Sequence, residues 1–189
     1  FFYFFFEFIG LVELIFCFIW LVHYIHRSFL WPLRAKLDGK KMTISVVLMA
    51  LIFNLVNITI QGVWIFILGE YSDQWLLSPF FIVGCALFLL GMFINIRSDN
   101  ILMKLREDRG QGYHTPHGFF FKHVSSPNYL GEIVEWLGWA ILTMSPAGLV
   151  FFIWTVANLI PRAKSNHEWC KSNIPNYPTQ RKAIFPFIY

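Results

Sequence analysis

Charge is what this chain has least of. Only 14% of its 189 residues are Asp, Glu, Lys or Arg, against about a quarter in a soluble domain. With 57% hydrophobic and 20% aromatic residues, there is too little polar surface to cover a water-soluble globule, and membrane insertion is the economical reading. Cysteine is also scarce. Cys17, Cys85 and Cys170 are scattered, with neither zinc spacing nor a disulfide framework. His114, His117 and His123 lack a ligand spacing such as HExxH, which argues against a metal site. The glycines match neither the Rossmann fingerprint nor a P-loop, and no βαβ pattern supports one. There is no internal repeat and no low-complexity linker. The chain opens on Phe with no initiator Met or signal-peptide n-region, so its N-terminus is expected to be incomplete.

What the chain has instead is long apolar runs. Residues 1–22 are broken only by Glu7 and Glu13, and 42–68 and 76–96 carry no formal charge. Each is long enough for a span of roughly 20 residues. The runs 130–142 and 147–160 are shorter and are separated by Ser145-Pro146. Pro146 either turns the chain or kinks one helix; two tilted or partly embedded helices are expected, because one helix through both would overshoot a bilayer. All 15 basic residues fall in three blocks, 27–41, 97–122 and 162–182, whereas 69–75 holds Glu70 and Asp73 and 143–147 holds no charge. Alternate loops are basic, as the positive-inside rule requires, so 27–41, 97–129 and 161–189 are expected on the cytosolic face. The net charge of +4 is therefore topology, and no nucleic-acid partner is expected. The fold class expected is an all-α integral membrane protein, a multi-span helical bundle with one domain over 1–189.

Polar groups beside these runs are the candidate site. Asn95 and Asp99 share a helical face, and Asn128 and Glu132 repeat that spacing, with Trp136 one turn further on. Asn128 also has a simpler reading as a helix N-cap after Ser125-Ser126-Pro127, and Glu132 and Glu135 as complements of the helix dipole. Asp99 and Arg106 lie on one stripe, a carboxylate suited to a ribose hydroxyl pair and a guanidinium suited to a phosphate. Gly110, Gly112 and Gly118 let backbone approach a ligand. Tyr24 closes the first run, where a belt residue is common, but its phenol can also donate to a substrate carbonyl.

Four stretches carry a resemblance: HYIHRSF (23–29), LGMFINIRSDNILMKLR (90–106), GYHTPHGFFFKHVSSPNYLGEIVEWLGWA (112–140) and NYPTQRKAIFPFIY (176–189). Together they resemble the steroid 5α-reductases, 3-oxo-5α-steroid 4-dehydrogenases, from about residue 20 onward. The resemblance implies a multi-pass membrane oxidoreductase that uses NADPH to reduce the Δ4 double bond of a 3-oxo-Δ4-steroid. It implies five or more transmembrane helices here and about seven in full-length members, with 90–189 as an NADPH-binding half. It makes Asn95, Asp99, Arg106, Tyr113, Asn128, Glu132 and Trp136 a cofactor shell, closed by Arg162 and His167, with Lys40 at the phosphates. Tyr24 falls on the family's catalytic Tyr, which hydrogen-bonds the 3-oxo group. The sequence departs from the family at Cys170, where a Tyr is common, and lacks the upstream Glu-x-Pro whose Glu partners the catalytic Tyr matched by Tyr24.

A monomer among membrane lipid is expected, in the endoplasmic reticulum of a eukaryote or the inner membrane of a bacterium. Alternatives are a related enone reductase of the polyprenol or trans-2-enoyl-CoA type, an isoprenylcysteine methyltransferase-like enzyme, and a non-enzymatic transporter or scaffold.

Overall fold

The structure is a computed structural model that describes residues 9–35, 41–110 and 112–188. Among the described residues, five long helices carry the chain. α1 is Leu11–Ile25 and continues through a π-helical turn, His26–Leu30, into Trp31–Arg34. α2 is Ile44–Val63, extended by Trp64–Leu68. α3 is Pro79–Arg109, α4 is Pro127–Thr143 and α5 is Pro146–Asn173. Short 3₁₀ turns at Asp73–Leu77 and Phe119–Lys122 fill two connections. No strand forms among the described residues; one isolated bridge joins Val124 to Lys182. Four of these helices, Leu11–Arg34, Ile44–Leu68, Pro79–Arg109 and Pro146–Asn173, are long and apolar enough to cross a membrane. The all-α, multi-span architecture is the one expected.

Local sequence sets the helix ends. Ser78 caps α3 by accepting from the Phe81 N–H at 3.1 Å, with Pro79 at the first position. Ser145 caps α5 in the same way, accepting from Gly148 N–H at 2.8 Å, with Pro146 next. Pro is suited to the first turn, where its missing N–H costs nothing. The run 130–160 thus divides into two helices, as expected. α5 does not stop at 160, however. It carries Pro161 in its interior and runs on through the basic sequence to Asn173, with Lys164 and Glu168 paired one turn apart at 3.9 Å. α3 likewise passes the apolar run and continues through Arg97–Arg109. At 1.5 Å per residue its 31 residues reach about 46 Å, longer than the roughly 30 Å hydrocarbon core, so its charged turns project beyond it.

α3 and α4 pack backbone to backbone. Gly84 and Gly91 on α3 face Gly138 and Gly131 on α4; a Cβ at any of the four would overlap backbone atoms of the other helix. Small residues at this kind of seam are the usual means of close approach within a membrane. Above the seam an aromatic cluster ties in α1 and α5: Trp20 lies 5.1 Å from Trp136, 4.9 Å from Trp139 and 5.6 Å from Phe151, ring centre to ring centre.

α2 has the opposite character. Its apolar residues are largely exposed, and in Ile44–Val63 the buried residues are Asn57 and Gln61. A helix with apolar outside and amides inside is built for lipid on one side and a polar interior on the other.

Candidate active site

The glycine seam decides which polar side chains meet. It brings Asn95 against the start of α4, where the Asn95 amide donates to the Asn128 carbonyl at 3.0 Å. Asn128 Nδ2 donates back to Asp99 Oδ1 at 3.2 Å. Ser126 is the residue preceding α4 and makes no side-chain cap, so Asn128 spends its amide across the helix pair rather than on its own helix end. Arg27 reaches in from α1. Its Nη1 donates to Asp99 Oδ2 at 3.2 Å, and Nη2 lies 3.9 Å from Glu132 Oε2. One guanidinium, also set 5.1 Å over the Trp31 ring, thus balances two carboxylates. Arg34 adds a 2.7 Å bond to Asn100 Oδ1.

A turn deeper, His23 Nδ1 and Glu135 Oε1 meet at 2.7 Å, with Glu135 only 1% exposed. The His23 ring stands edge-on to Trp136 at 4.6 Å. Tyr24 lies against Trp20 at 5.1 Å and Trp136 at 6.3 Å. Asn57 of α2 sits beside the Tyr24 phenol.

The C-terminal segment folds onto the loop before α4. Backbone bonds run from Lys182 N–H to His123 O and from Ser125 N–H to Lys182 O, both 2.9 Å. His167 Nδ1 and Ser125 Oγ are 2.6 Å apart, and Tyr177 donates to the same Oγ at 2.7 Å. Arg181 is 4% exposed. It donates through Nη2 to the Pro116 carbonyl at 2.9 Å and lies over the Tyr177 ring, yet its Nε and Nη1 have no hydrogen-bond partner among the described residues. His114 Nε2 is buried in the same condition. A buried guanidinium with two open donors suits an anion, because charge left unpaired away from water is costly.

The structure therefore gathers Asn95, Asp99, Asn128 and Glu132 into one cluster, with Trp136 one turn below. Tyr24 lies half-buried against the same aromatic core. His167 is placed in the tail network. Tyr113 is exposed and set edge-on to Trp169 at 4.4 Å, and Arg106 and Arg162 are exposed on α3 and α5. Lys40 lies outside the described residues. The three basic blocks do meet at one end of the bundle, through Arg34–Asn100, Ser125–Lys182 and Arg181–Pro116.

Four features of the site lie outside the candidates that the sequence offers: Arg27, the His23–Glu135 pair, Arg181 and the Asn57–Gln61 pair. A signal existed for the last: two amides four residues apart in an otherwise apolar run share a face. Among the described residues, no three His, Cys, Asp or Glu side chains gather as metal ligands would.

Comparison with known proteins adds the following. Residues 40–189 match the family model described as 3-oxo-5-alpha-steroid 4-dehydrogenase. The chain is 46% identical over 174 residues to steroid 5-alpha-reductase DET2 of Solanum lycopersicum, covering 90% of this chain and 67% of that protein. It is 41% identical over 182 residues to steroid 5-alpha-reductase DET2 of Arabidopsis thaliana, covering 90% and 68%. It is 40% identical over 169 residues to human 3-oxo-5-alpha-steroid 4-dehydrogenase 1, covering 89% and 65%.

Proposed function

The chain belongs to the 3-oxo-5-alpha-steroid 4-dehydrogenase family, and from that premise we propose that it reduces the Δ4 double bond of a 3-oxo-Δ4-steroid to the 5α-steroid, with NADPH as reductant. The observation that carries this reading is the juxtaposition at Trp136. That buried indole lies one turn beyond the Asn95–Asp99–Asn128–Glu132 cluster and against the wall that holds Tyr24. The proposed cofactor cluster and the proposed carbonyl donor then border the same aromatic core.

The residues present fit a dinucleotide. Arg181 offers two unpartnered nitrogens at a buried position, which suits a phosphate. Asp99 and Glu132, held by Arg27, suit ribose hydroxyls and would repel a phosphate. Asn95 and Asn128 supply amide donors and acceptors. Arg106, Tyr113, Arg162 and His167 complete the proposed set from the resemblance, and Cys170, 3.9 Å from the Asn166 amide oxygen, stands where the family has Tyr. The basic end, reached from the cytosolic side by the positive-inside argument, would admit a soluble cofactor, while the aromatic cluster where α1, α2, α4 and α5 meet would take the steroid from the membrane.

NADPH, when bound, supplies the hydride that the steroid C5 accepts. The charge that then builds on the C3 carbonyl oxygen is met by the Tyr24 hydroxyl, a fixed donor in an enclosure walled by Trp20 and Trp136. C4 takes up a proton from water, which completes addition of two hydrogens across the double bond and releases the carbonyl from Tyr24. Trp136 and Trp139, both nearly inaccessible, form the dry aromatic wall on which Tyr24 rests.

The direct test is NADPH-dependent conversion of progesterone or testosterone by the purified protein in lipid. The 5α-reduced product is expected; turnover of a polyprenal or enoyl-CoA instead of either steroid would overturn the substrate assignment. Tyr24→Phe is expected to lower turnover by about 10²–10³ with NADPH affinity unchanged, read by cofactor fluorescence. Loss of affinity with retained turnover would remove Tyr24 from its role.

A further inference from the structure

The amides of α2 are a chain of fixed direction. Trp139 Nε1 can only donate, and it donates to Gln61 Oε1 at 3.0 Å. The Ala147 carbonyl can only accept, and it accepts from Gln61 Nε2 at 2.9 Å. These two partners leave Gln61 no freedom to flip. Its second Nε2 hydrogen then points one turn back along the helix, to Asn57 Oδ1, at 3.5 Å. Because Asn57 accepts through Oδ1, its NH₂ must face the other way. That nitrogen is buried, in a residue 6% exposed, and has no hydrogen-bond partner among the described residues. A buried donor left unmade is costly, and such groups usually mark a missing partner.

The surroundings say where Asn57 faces. Phe53, one turn before it, lies 6.2 Å from Phe151, which packs on both Trp20 and Trp136. Gln61, one turn after it, bonds Trp139, which also packs on Trp20. Asn57 is therefore held between these contacts on the face of α2 that looks onto Tyr24, whose ring rests on the same two tryptophans. Among the described residues the polar group beside this amide is the Tyr24 hydroxyl, which closes no hydrogen bond with it; the phenol oxygen can accept one Nδ2 hydrogen while donating its own proton, and the second Nδ2 hydrogen is left for a substrate oxygen.

We propose that Asn57 is a substrate-binding residue whose Nδ2 donates, alongside the Tyr24 hydroxyl, to the carbonyl oxygen of the enone substrate, with Gln61 and Trp139 as the positioning groups that set its direction. This rests on the reading of the site as an enone reductase. Two donors on one oxygen are the arrangement expected where charge develops on it, and each is preorganised by partners that do not move in the reaction. A donor that belongs to α2 also makes the membrane-facing helix part of substrate recognition.

The test uses Asn57→Leu, which keeps the shape and removes the amide, and Asn57→Ser, which restores a shorter donor. Each is assayed as the full chain in lipid nanodiscs with NADPH and progesterone. Binding is then measured for progesterone and for the analogue that lacks only the C3 oxygen. For Asn57→Leu, kcat/KM is expected to fall about 100-fold, with NADPH affinity within about twofold of the parent. The preference for progesterone over the deoxygenated analogue should shrink, and Asn57→Ser should recover part of both losses. An equal loss of affinity for the two steroids would make Asn57 a packing residue and overturn the assignment. So would loss of NADPH binding in both variants, or unchanged turnover in Asn57→Leu. A parent protein that turns over no 3-oxo-Δ4-steroid would instead overturn the enone-reductase reading itself, whatever the variants do.

Discussion

α3 and α4 meet through atoms that are missing: Gly84, Gly91, Gly131 and Gly138 leave room for backbone to touch backbone. α1 and α2 join the same core through side chains, His23 to Glu135 on one and Gln61 to Trp139 and Ala147 on the other. The difference bears on what each joint can specify. A glycine seam fixes distance and register, so Asn95 falls opposite Asn128, but it carries no chemistry of its own. Polar side-chain joints fix direction, because donors and acceptors must match. The proposed cofactor cluster stands on the first kind of joint and the proposed substrate end on the second.

The strongest way to break this comparison is to fill the seam. Gly91→Val would drive its Cβ and methyls into the Glu135 backbone, and neither helix can move away without losing the Asn95–Asn128 contact. The expected outcome is loss of folded protein, a destabilisation of at least about 4–5 kcal/mol, seen as no monodisperse peak after extraction. A folded Gly91→Val protein with NADPH binding intact would refute the backbone seam.

Less severe, and aimed at the side-chain joint, is Glu135→Leu. It leaves His23 buried beside Trp136 without its partner, and removing one member of a buried pair costs about 3–5 kcal/mol. The double variant His23→Leu with Glu135→Leu is expected to recover much of that loss, since a well-packed apolar replacement of a buried pair is often neutral. Thermal unfolding of the three proteins in one detergent measures the coupling. No recovery in the double variant would mean that His23 has a further partner.

How far the sequence foretold these joints depends on range. Ser78-Pro79 and Ser145-Pro146 announce two helix starts, because caps and first-turn prolines act within four residues. The Asn95/Asp99 and Asn128/Glu132 pairs were legible for the same local reason. Arg106 shares their stripe, and a stripe gives direction without depth. Eleven residues beyond Asn95 it lies about 16 Å down the helix axis, past the start of α4 at Pro127, and it ends exposed. Arg27 was the converse case. Its bond to Asp99 spans 72 residues, and no periodicity in a single chain encodes a contact of that range. The seven-residue spacing of Gly84 and Gly91, repeated in Gly131 and Gly138, was visible throughout. Only the packing of two helices gave it meaning.

The smallest effect sharpens the comparison most cleanly. Gly62, on α2, has nothing within 4 Å of where a Cβ would be placed, although it is flanked by the buried Gln61. If α2 is held by its amides and not by close backbone approach, its glycine is free of the constraint that rules α3. Gly62→Ala should then leave turnover unchanged and hold or raise the thermal midpoint, since Ala is favoured over Gly in a helix interior by about 1 kcal/mol. Turnover matters as much as stability here, because the neighbouring Gln61 aims Asn57. A clear fall in the midpoint would mean that α2, too, rests on a seam at Gly62. A fall in turnover alone would mean that the Gln61 amide shifts when its neighbour gains a methyl, which ties helix geometry at that position to the direction of the Asn57 donor.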